Sequence, residues 1–199
     1  MDQAQPATPN IGPDVRQDLQ FVRAAVERGA HPEGPSIIYW LWGTVTLIGF
    51  ALNDFAPPRW DGLYWAIIGP IAGVITWLIM RQILLRYGVA DRKETTREWL
   101  QWVAMAACIL LLVFDTSRGR IAGSTLGQLI LLIVGYTYFL TYVRRGDRVM
   151  LIAGLTMAGG FVVMTFATTY IWTIMGVCVF LALAGGATIA ELTRKRAQA

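Results

Sequence analysis

Residues 81–98 read RQILLRYGVADRKETTRE and separate two long apolar runs. This stretch holds five of the chain's 17 basic residues, namely Arg81, Arg86, Arg92, Lys93 and Arg97. So many charges are costly to place in hydrocarbon, and Lys and Arg accumulate in the cytoplasmic loops of membrane proteins. We therefore predict that the stretch stays in the cytoplasm, which assigns a side to every other loop.

The composition is typical of a protein that crosses a membrane several times. Hydrophobic residues make up 55% of the 199 residues and charged residues 15%, and the charges lie between apolar runs. The net charge of +4 does not indicate nucleic-acid binding, because the basic residues flank apolar runs and do not cover one face of a soluble domain. We therefore expect the lipid bilayer as a partner and no nucleic acid. The 15 Arg residues against two Lys indicate a GC-rich, bacterial genome.

Six apolar segments predict six transmembrane helices. They are residues 36–53, 63–85, 99–114, 121–143, 149–166 and 170–190. The last two come from one uncharged stretch, 149–190, whose 42 residues would form a helix of about 63 Å. Because that is twice the hydrocarbon thickness of about 30 Å, the chain has to turn back, and Ala167-Thr168-Thr169 is the predicted turn.

The distribution of basic residues predicts the topology. Fourteen of the 17 lie before the first span, at the end of the second span or after it, after the fourth or after the sixth, and three lie in the other loops. Since positive charge marks the cytoplasmic side, both termini are predicted to be cytoplasmic. The prediction is an all-α, multi-pass protein of the bacterial inner membrane, with a transmembrane domain at 36–190 built as three hairpins and a basic tail at 191–199. Tyr39 and Trp40 are expected at the membrane interface.

Two segments precede the first span. Residues 1–12 are polar and predict disorder, and residues 13–35 predict a cytoplasmic amphipathic helix that ends in an HPEGP hinge. The polar face of this helix mixes acidic with basic residues, unlike a polybasic lipid anchor, so a contact with a partner protein is favoured over a lipid surface. The candidate contact residues are Leu19, Val22, Arg23 and Val26.

Small residues at a spacing of four indicate close helix packing. Helices in lipid associate largely through close van der Waals contact, which small side chains permit. The candidates are Gly69, Gly73, Gly123, Gly127, Gly159 and Gly160. Two interpretations stay open: packing within one chain, or a contact between chains in an oligomer.

No pattern for catalysis, a cofactor or a metal ion stands out. The interiors of the predicted spans carry no Asp, Glu, Lys, Arg or His, although membrane enzymes and ion carriers normally need such groups at depth. His31 is the only histidine, which excludes a haem with two histidine ligands within one chain. Cys108 and Cys178 lie in apolar runs and are expected to be buried free thiols.

The leading functional hypothesis is a non-catalytic integral membrane protein that acts as an accessory, scaffold or regulatory subunit of a membrane complex. The alternative is a transporter or channel for a small neutral or apolar solute, lined by Thr, Tyr and Gly. A membrane enzyme that acts on lipids is a third class. It would need acids at the interface, and nothing in the sequence pairs the outer acids Asp54, Asp61 and Asp115.

Overall fold

The computed structural model describes residues 35–87, 92–166 and 169–198, and every regular element in these residues is a helix. The helices are α1 Ser36–Phe55, α2 Pro58–Tyr87, α3 Arg92–Ser117, α4 Gly123–Arg145, α5 Arg148–Met164, α6 Ile171–Phe180 and α7 Gly186–Gln198. A π-helical turn, Leu181–Gly185, joins α6 to α7. The predicted all-α class is therefore confirmed for the described residues. The predicted disorder at 1–12 and the amphipathic helix with Leu19, Val22, Arg23 and Val26 lie outside them.

Five helices are long and apolar enough to cross a membrane, as expected of a multi-pass membrane protein. Their apolar stretches are Ser36–Phe55, Arg59–Ile83, Thr96–Ser117, Thr125–Arg145 and Ile171–Thr193. The last of these includes α6, the π-helical turn and the first part of α7. Helix α5 is also apolar but has only 17 residues, which corresponds to about 25 Å.

The helices extend further into the charged stretch 81–98 than the hydropathy indicates. Helix α2 continues to Tyr87 and α3 begins at Arg92, so that only residues 88–91 between them lie outside the described part. Hydropathy marks where a run stops being apolar, whereas Arg, Lys and Glu are good helix formers and allow the helix to continue. The long side chain of Arg81 lies over the Trp77 ring, with the guanidinium carbon 5.5 Å from the ring centroid.

The core lies among α1, α4, α5 and the continuous segment from α6 to α7. Helix α1 packs against α6 and the π-helical turn, α4 packs closely against α5, α2 packs against α1, and α3 packs against α4. Large buried side chains include Tyr39, Leu131, Val149, Met157, Met175, Val179 and Leu183. In their apolar stretches, 33% of the α1 and α6–α7 residues and 28% of the α4 residues are buried, against 6% for α2 and none for α3.

Two glycines bring the backbones of α4 and α5 together. A Cβ atom added at Gly154 would lie 2.9 Å from the carbonyl oxygen of Gly135, and one added at Gly135 would lie 3.1 Å from that of Gly154. Only a residue without a side chain allows two helix backbones this close. This contact therefore fixes the separation of α4 and α5 at mid-length.

The connection between α5 and α6 falls where the sequence predicts a turn. Helix α5 ends at Met164 and α6 begins at Ile171, after Tyr170 in the left-handed conformation with φ of 52°. Of the predicted turn Ala167-Thr168-Thr169, only Thr169 lies within the described residues.

Candidate functional site

The most buried charged side chain in the described part of the chain is Asp147, which is 2% exposed. The hydroxyl group of Tyr39, itself buried, donates a hydrogen bond to Asp147 Oδ2. The backbone N–H groups of Val149 and Met150 donate to Asp147 Oδ1 at 3.0 and 3.3 Å. The carboxyl group is thus the N-cap of α5 and is also bound to the first turn of α1. These hydrogen bonds replace the water that burial removes.

The local sequence explains why Asp147 lies inside. Gly146 ends α4 with φ of 71°, a conformation that favours glycine, and its N–H donates to the carbonyl oxygen of Tyr142 at 2.7 Å. Helix α5 then begins at Arg148. An aspartate directly before a helix caps its free N–H groups and complements its dipole. The short connection therefore directs Asp147 towards the helix start, while Arg148 stays exposed.

The π-helical turn packs against α1 and α5. Its residues Ala182, Leu183 and Ala184 are buried. A Cβ atom added at Gly186 would lie 3.3 Å from Val149 Cγ1, and one added at Gly43 would lie 3.3 Å from Phe180 Cδ2. The turn thus lies between the first halves of α1 and α5. One-turn π-helical segments are frequent at functional sites, which makes this region the first place to look for one.

Polar side chains surround the same end of the bundle. Ser36 Oγ donates to Glu191 Oε2 at 3.1 Å, and Glu191 forms an ion pair with Lys195 one helical turn further on. Arg145 forms a partly buried ion pair with Glu98, so that α4 is bound to α3. We refer to the groups around Tyr39, Asp147, Glu98 and Arg145 as the polar end cluster.

A second polar group lies one helical turn further along α3. The side-chain Nε2 of Gln101 donates to the carbonyl oxygen of Thr137 at 2.8 Å and to Thr141 Oγ1 at 3.2 Å. Its Oε1 atom is buried and has no hydrogen-bond partner within the described residues. A buried acceptor atom without a hydrogen-bond donor is unfavourable. The Gln101 Oε1 atom would therefore be stabilised by a bound molecule that donates an O–H or N–H group.

The opposite end of the bundle has a matching helix cap. Asp54, at the end of α1, accepts hydrogen bonds at 2.7 Å from both the N–H and the hydroxyl group of Thr173 in the first turn of α6. The rings of Phe55 and Tyr170 stack beside it with centroids 5.5 Å apart. Helix α1 is therefore bound near one end to the start of α5 and at the other to the start of α6.

The outer acids have separate partners. Asp54 caps α6, Asp61 accepts a hydrogen bond from the Asn53 amide at 3.2 Å, and Asp115 forms an exposed ion pair with Arg120 at 3.4 Å. An exposed pair of this kind contributes little to stability. Within the described residues, no group of three or more His, Cys, Asp or Glu side chains could hold a metal ion.

The glycines predicted from the spacing of four fall into two groups. A Cβ atom added at Gly127 would lie 2.1 Å from the Trp172 ring, and one added at Gly160 would lie 2.1 Å from Met175 Cε. The other four have no atom within 4 Å of an added Cβ; they are Gly69, Gly73, Gly123 and Gly159. The two glycines in closest contact with another helix backbone, Gly135 and Gly154, do not belong to the predicted set.

Sequence reasoning missed the main buried groups. Asp147 is not among the candidates from the sequence, although an aspartate directly before an apolar run is a recognisable N-cap signal. Tyr39 was expected among interfacial aromatic residues, yet its hydroxyl group is bound inside the bundle. The expectation of buried thiols is wrong, because Cys108 and Cys178 are free but exposed on their helices.

The chain matches no protein-family model, and comparison with curated proteins and with solved structures gives no match either.

Proposed function

We propose that the protein is a non-catalytic, six-span protein of the bacterial inner membrane that acts as an accessory, scaffold or regulatory subunit of a membrane complex. The observation that carries this proposal is the uneven burial of its helices. Helices α2 and α3 bury 6% and none of their apolar stretches, against 33% for α1 and for α6–α7. Such a protein offers two long apolar helices to its neighbours while a separate core maintains the fold.

The way α1 is bound supports a scaffold. The Tyr39–Asp147 contact binds it near one end and the Asp54–Thr173 contact binds it at the other. Alternating-access transport needs one group of helices to rock against another around the substrate site. A core helix that is bound at both ends to the helices beside it opposes such a motion, and it suits a subunit with one stable shape.

The same two contacts support six spans with both termini in the cytoplasm. Helix α5 starts beside the first turn of α1, and α6 starts beside the last turn of α1. Helix α1 is long enough to cross a membrane. The segment from the start of α5 to the start of α6 runs from one end of α1 to the other, so it would cross the membrane as well. We therefore infer that α5 crosses the membrane as the fifth of six spans, and the three hairpins are α1–α2, α3–α4 and α5–α6. The excess of basic residues on one side sets the orientation.

We assign the partner contact to the exposed face of α2. Gly69 and Gly73 lie one turn apart on this helix, and an added Cβ atom at either has no neighbour within 4 Å. Two small residues at this spacing allow the backbone of another helix to approach closely. The partner is accordingly a membrane protein that contributes a transmembrane helix.

The test is a purification in mild detergent from cells that produce the protein at its native level. The expected result is one membrane polypeptide in stoichiometric amount with the wild type, and its loss with the double variant Gly69→Leu and Gly73→Leu. The matched control is Gly123→Leu with Gly159→Leu, which also adds bulk where no atom lies within 4 Å. A monodisperse wild-type protein that repeatedly elutes alone contradicts the proposal.

A transporter for a small neutral solute is the second candidate, and the Gln101 side chain is the observation that favours it. Its buried Oε1 acceptor has no partner in the described region, and Thr137 and Thr141 lie beside it between α3 and α4. Cysteine scanning along the facing sides of these helices tests the idea. If every position is sealed against water-soluble thiol reagents from both sides of the membrane, this candidate is excluded.

A further inference from the structure

Two arginines meet where α3 and α4 pack together at the polar end cluster. The guanidinium Nη1 of Arg144 lies 3.4 Å from the carbonyl oxygen of Arg97. The neighbouring residues Arg145 and Glu98 form the ion pair that holds the two helices at this point. The Arg144 side chain therefore reaches the backbone of α3 at Arg97, a residue whose own side chain is exposed.

The positive charge at this place is not neutralised within the described part of the chain. Arg97, Arg144 and Arg148 are exposed, and none of them forms an ion pair with a described carboxylate. The two acids next to these arginines in the sequence, Glu98 and Asp147, have other partners, since Glu98 binds Arg145 and Asp147 caps α5 and binds Tyr39. Exposed guanidinium groups without an acidic partner favour the approach of an anion.

An exposed apolar surface continues directly from the arginines along the helices. Trp99, Leu100 and Val143 are exposed next to Arg97 and Arg144, and no residue in the apolar stretch of α3 is buried. A soluble anion would gain nothing from this surface. A phospholipid matches both parts, because its phosphate can bind the guanidinium groups while its acyl chains cover the apolar side chains.

We propose that Arg97 and Arg144, with the exposed Arg148 at the start of α5, form a binding site for the headgroup phosphate of an anionic phospholipid in the surrounding leaflet. Arginine presents its N–H groups in a planar fork that binds two phosphate oxygens at once. Trp99 lies at the level where the headgroups meet the acyl chains, as interfacial tryptophans do. The site does not depend on a protein partner, so it stands or falls separately from the accessory role.

The test measures binding of single lipids to the full-length protein by native mass spectrometry. The probes are dioleoylphosphatidylglycerol and, for comparison, zwitterionic dioleoylphosphatidylcholine. The double variant Arg97→Gln and Arg144→Gln is expected to bind the first phosphatidylglycerol about 30-fold more weakly than the wild type. Its affinity for phosphatidylcholine should change much less. Both substituted side chains are exposed, so the thermal unfolding temperature should stay the same.

The control variant also removes two positive charges, but at the opposite end of the bundle: Arg59→Gln with Arg118→Gln. The guanidinium group of each of these arginines lies against an aromatic ring. This variant should retain the wild-type affinity. An equal loss in both double variants, or no loss in either, overturns the proposal. Addition of glycerol 3-phosphate provides a further arm: if it displaces the lipid at millimolar concentration, the site binds free phosphate and the assignment to phospholipid is wrong.

Discussion

Asp147 loses almost all contact with water in the folded protein, and hydrogen bonds from Tyr39, Val149 and Met150 take the place of hydration. Removal of such an acceptor has two consequences. The first turn of α5 loses its cap, and the Tyr39 hydroxyl group is left buried without its carboxylate partner. The stability of the fold should therefore depend strongly on this residue.

We expect Asp147→Ala to lower the free energy of unfolding by about 3 kcal/mol. This figure adds the cost of losing the helix cap to the cost of burying the Tyr39 hydroxyl group without the Asp147 carboxylate. Denaturant unfolding in detergent micelles measures the change. Tyr39→Phe removes only the donor and should cost about 1 kcal/mol. Because the two residues share one hydrogen bond, the double variant should lose less than the sum of the single losses. Strict additivity would show that the two side chains do not interact in the folded protein.

The glycine contact between α4 and α5 gives a second prediction at this scale. Gly154→Ala would place a methyl group 2.9 Å from the carbonyl oxygen of Gly135, so the helices must separate. We expect a loss of about 1–3 kcal/mol, as in other overpacked cores. Gly159→Ala on the same helix meets no atom within 4 Å and should leave stability equal or slightly higher. The measurement is the thermal unfolding temperature of both variants. Equal unfolding temperatures would contradict the close contact between Gly135 and Gly154.

At the scale of elements, the start of α6 depends on a side chain from another helix. The N-cap residue Tyr170 makes no side-chain hydrogen bond to the helix, and Asp54 of α1 binds the N–H of Thr173 instead. A helix that begins inside an apolar region needs such a donor–acceptor match, because water is scarce there.

Asp54→Ala should therefore loosen the first turn of α6. We expect hydrogen exchange at the Thr173 amide to accelerate about tenfold, which corresponds to the loss of a charge-assisted hydrogen bond. Asp115→Ala is the matched control, since it removes an acid from an exposed ion pair with Arg120. Exchange at Thr173 that is unchanged by Asp54→Ala would exclude a capping role.

The elements also indicate how far sequence reasoning can reach. Apolar runs reveal helices because every membrane-spanning backbone must satisfy its own hydrogen bonds, and this signal is local. Whether Gly135 or Gly69 is a packing glycine depends on how each helix is rotated about its own axis. This rotation cannot be read from the sequence. Asp147 carries a local capping signal, but its contact with Tyr39 spans 108 positions and becomes visible only in the fold.

For the whole molecule, the topology can be tested by cysteine labelling. In a background that lacks Cys108 and Cys178, we expect Arg118→Cys to react with a membrane-impermeant maleimide in intact cells. Arg148→Cys and Lys195→Cys should react only after the membrane is opened, because the proposed six spans would return the chain to the cytoplasm.

The Lys195 position is the informative one. If α5 lay along the surface without crossing, the C-terminal part would emerge on the other side and Lys195→Cys would react in intact cells. Labelling of all three positions from the same side would contradict the hairpin arrangement altogether.

The contact between Asp54 and Thr173 also has a consequence for the order of events during synthesis. Asp54 and Thr173 are 119 positions apart, so at roughly 5–20 residues per second the ribosome needs about 6–24 s to supply the partner. Throughout that interval α1 has α2 beside it but lacks its partner in α6. A chain that is interrupted before α6 thus leaves the Asp54 carboxylate without its Thr173 donors. We expect membrane proteases to degrade such an incomplete chain.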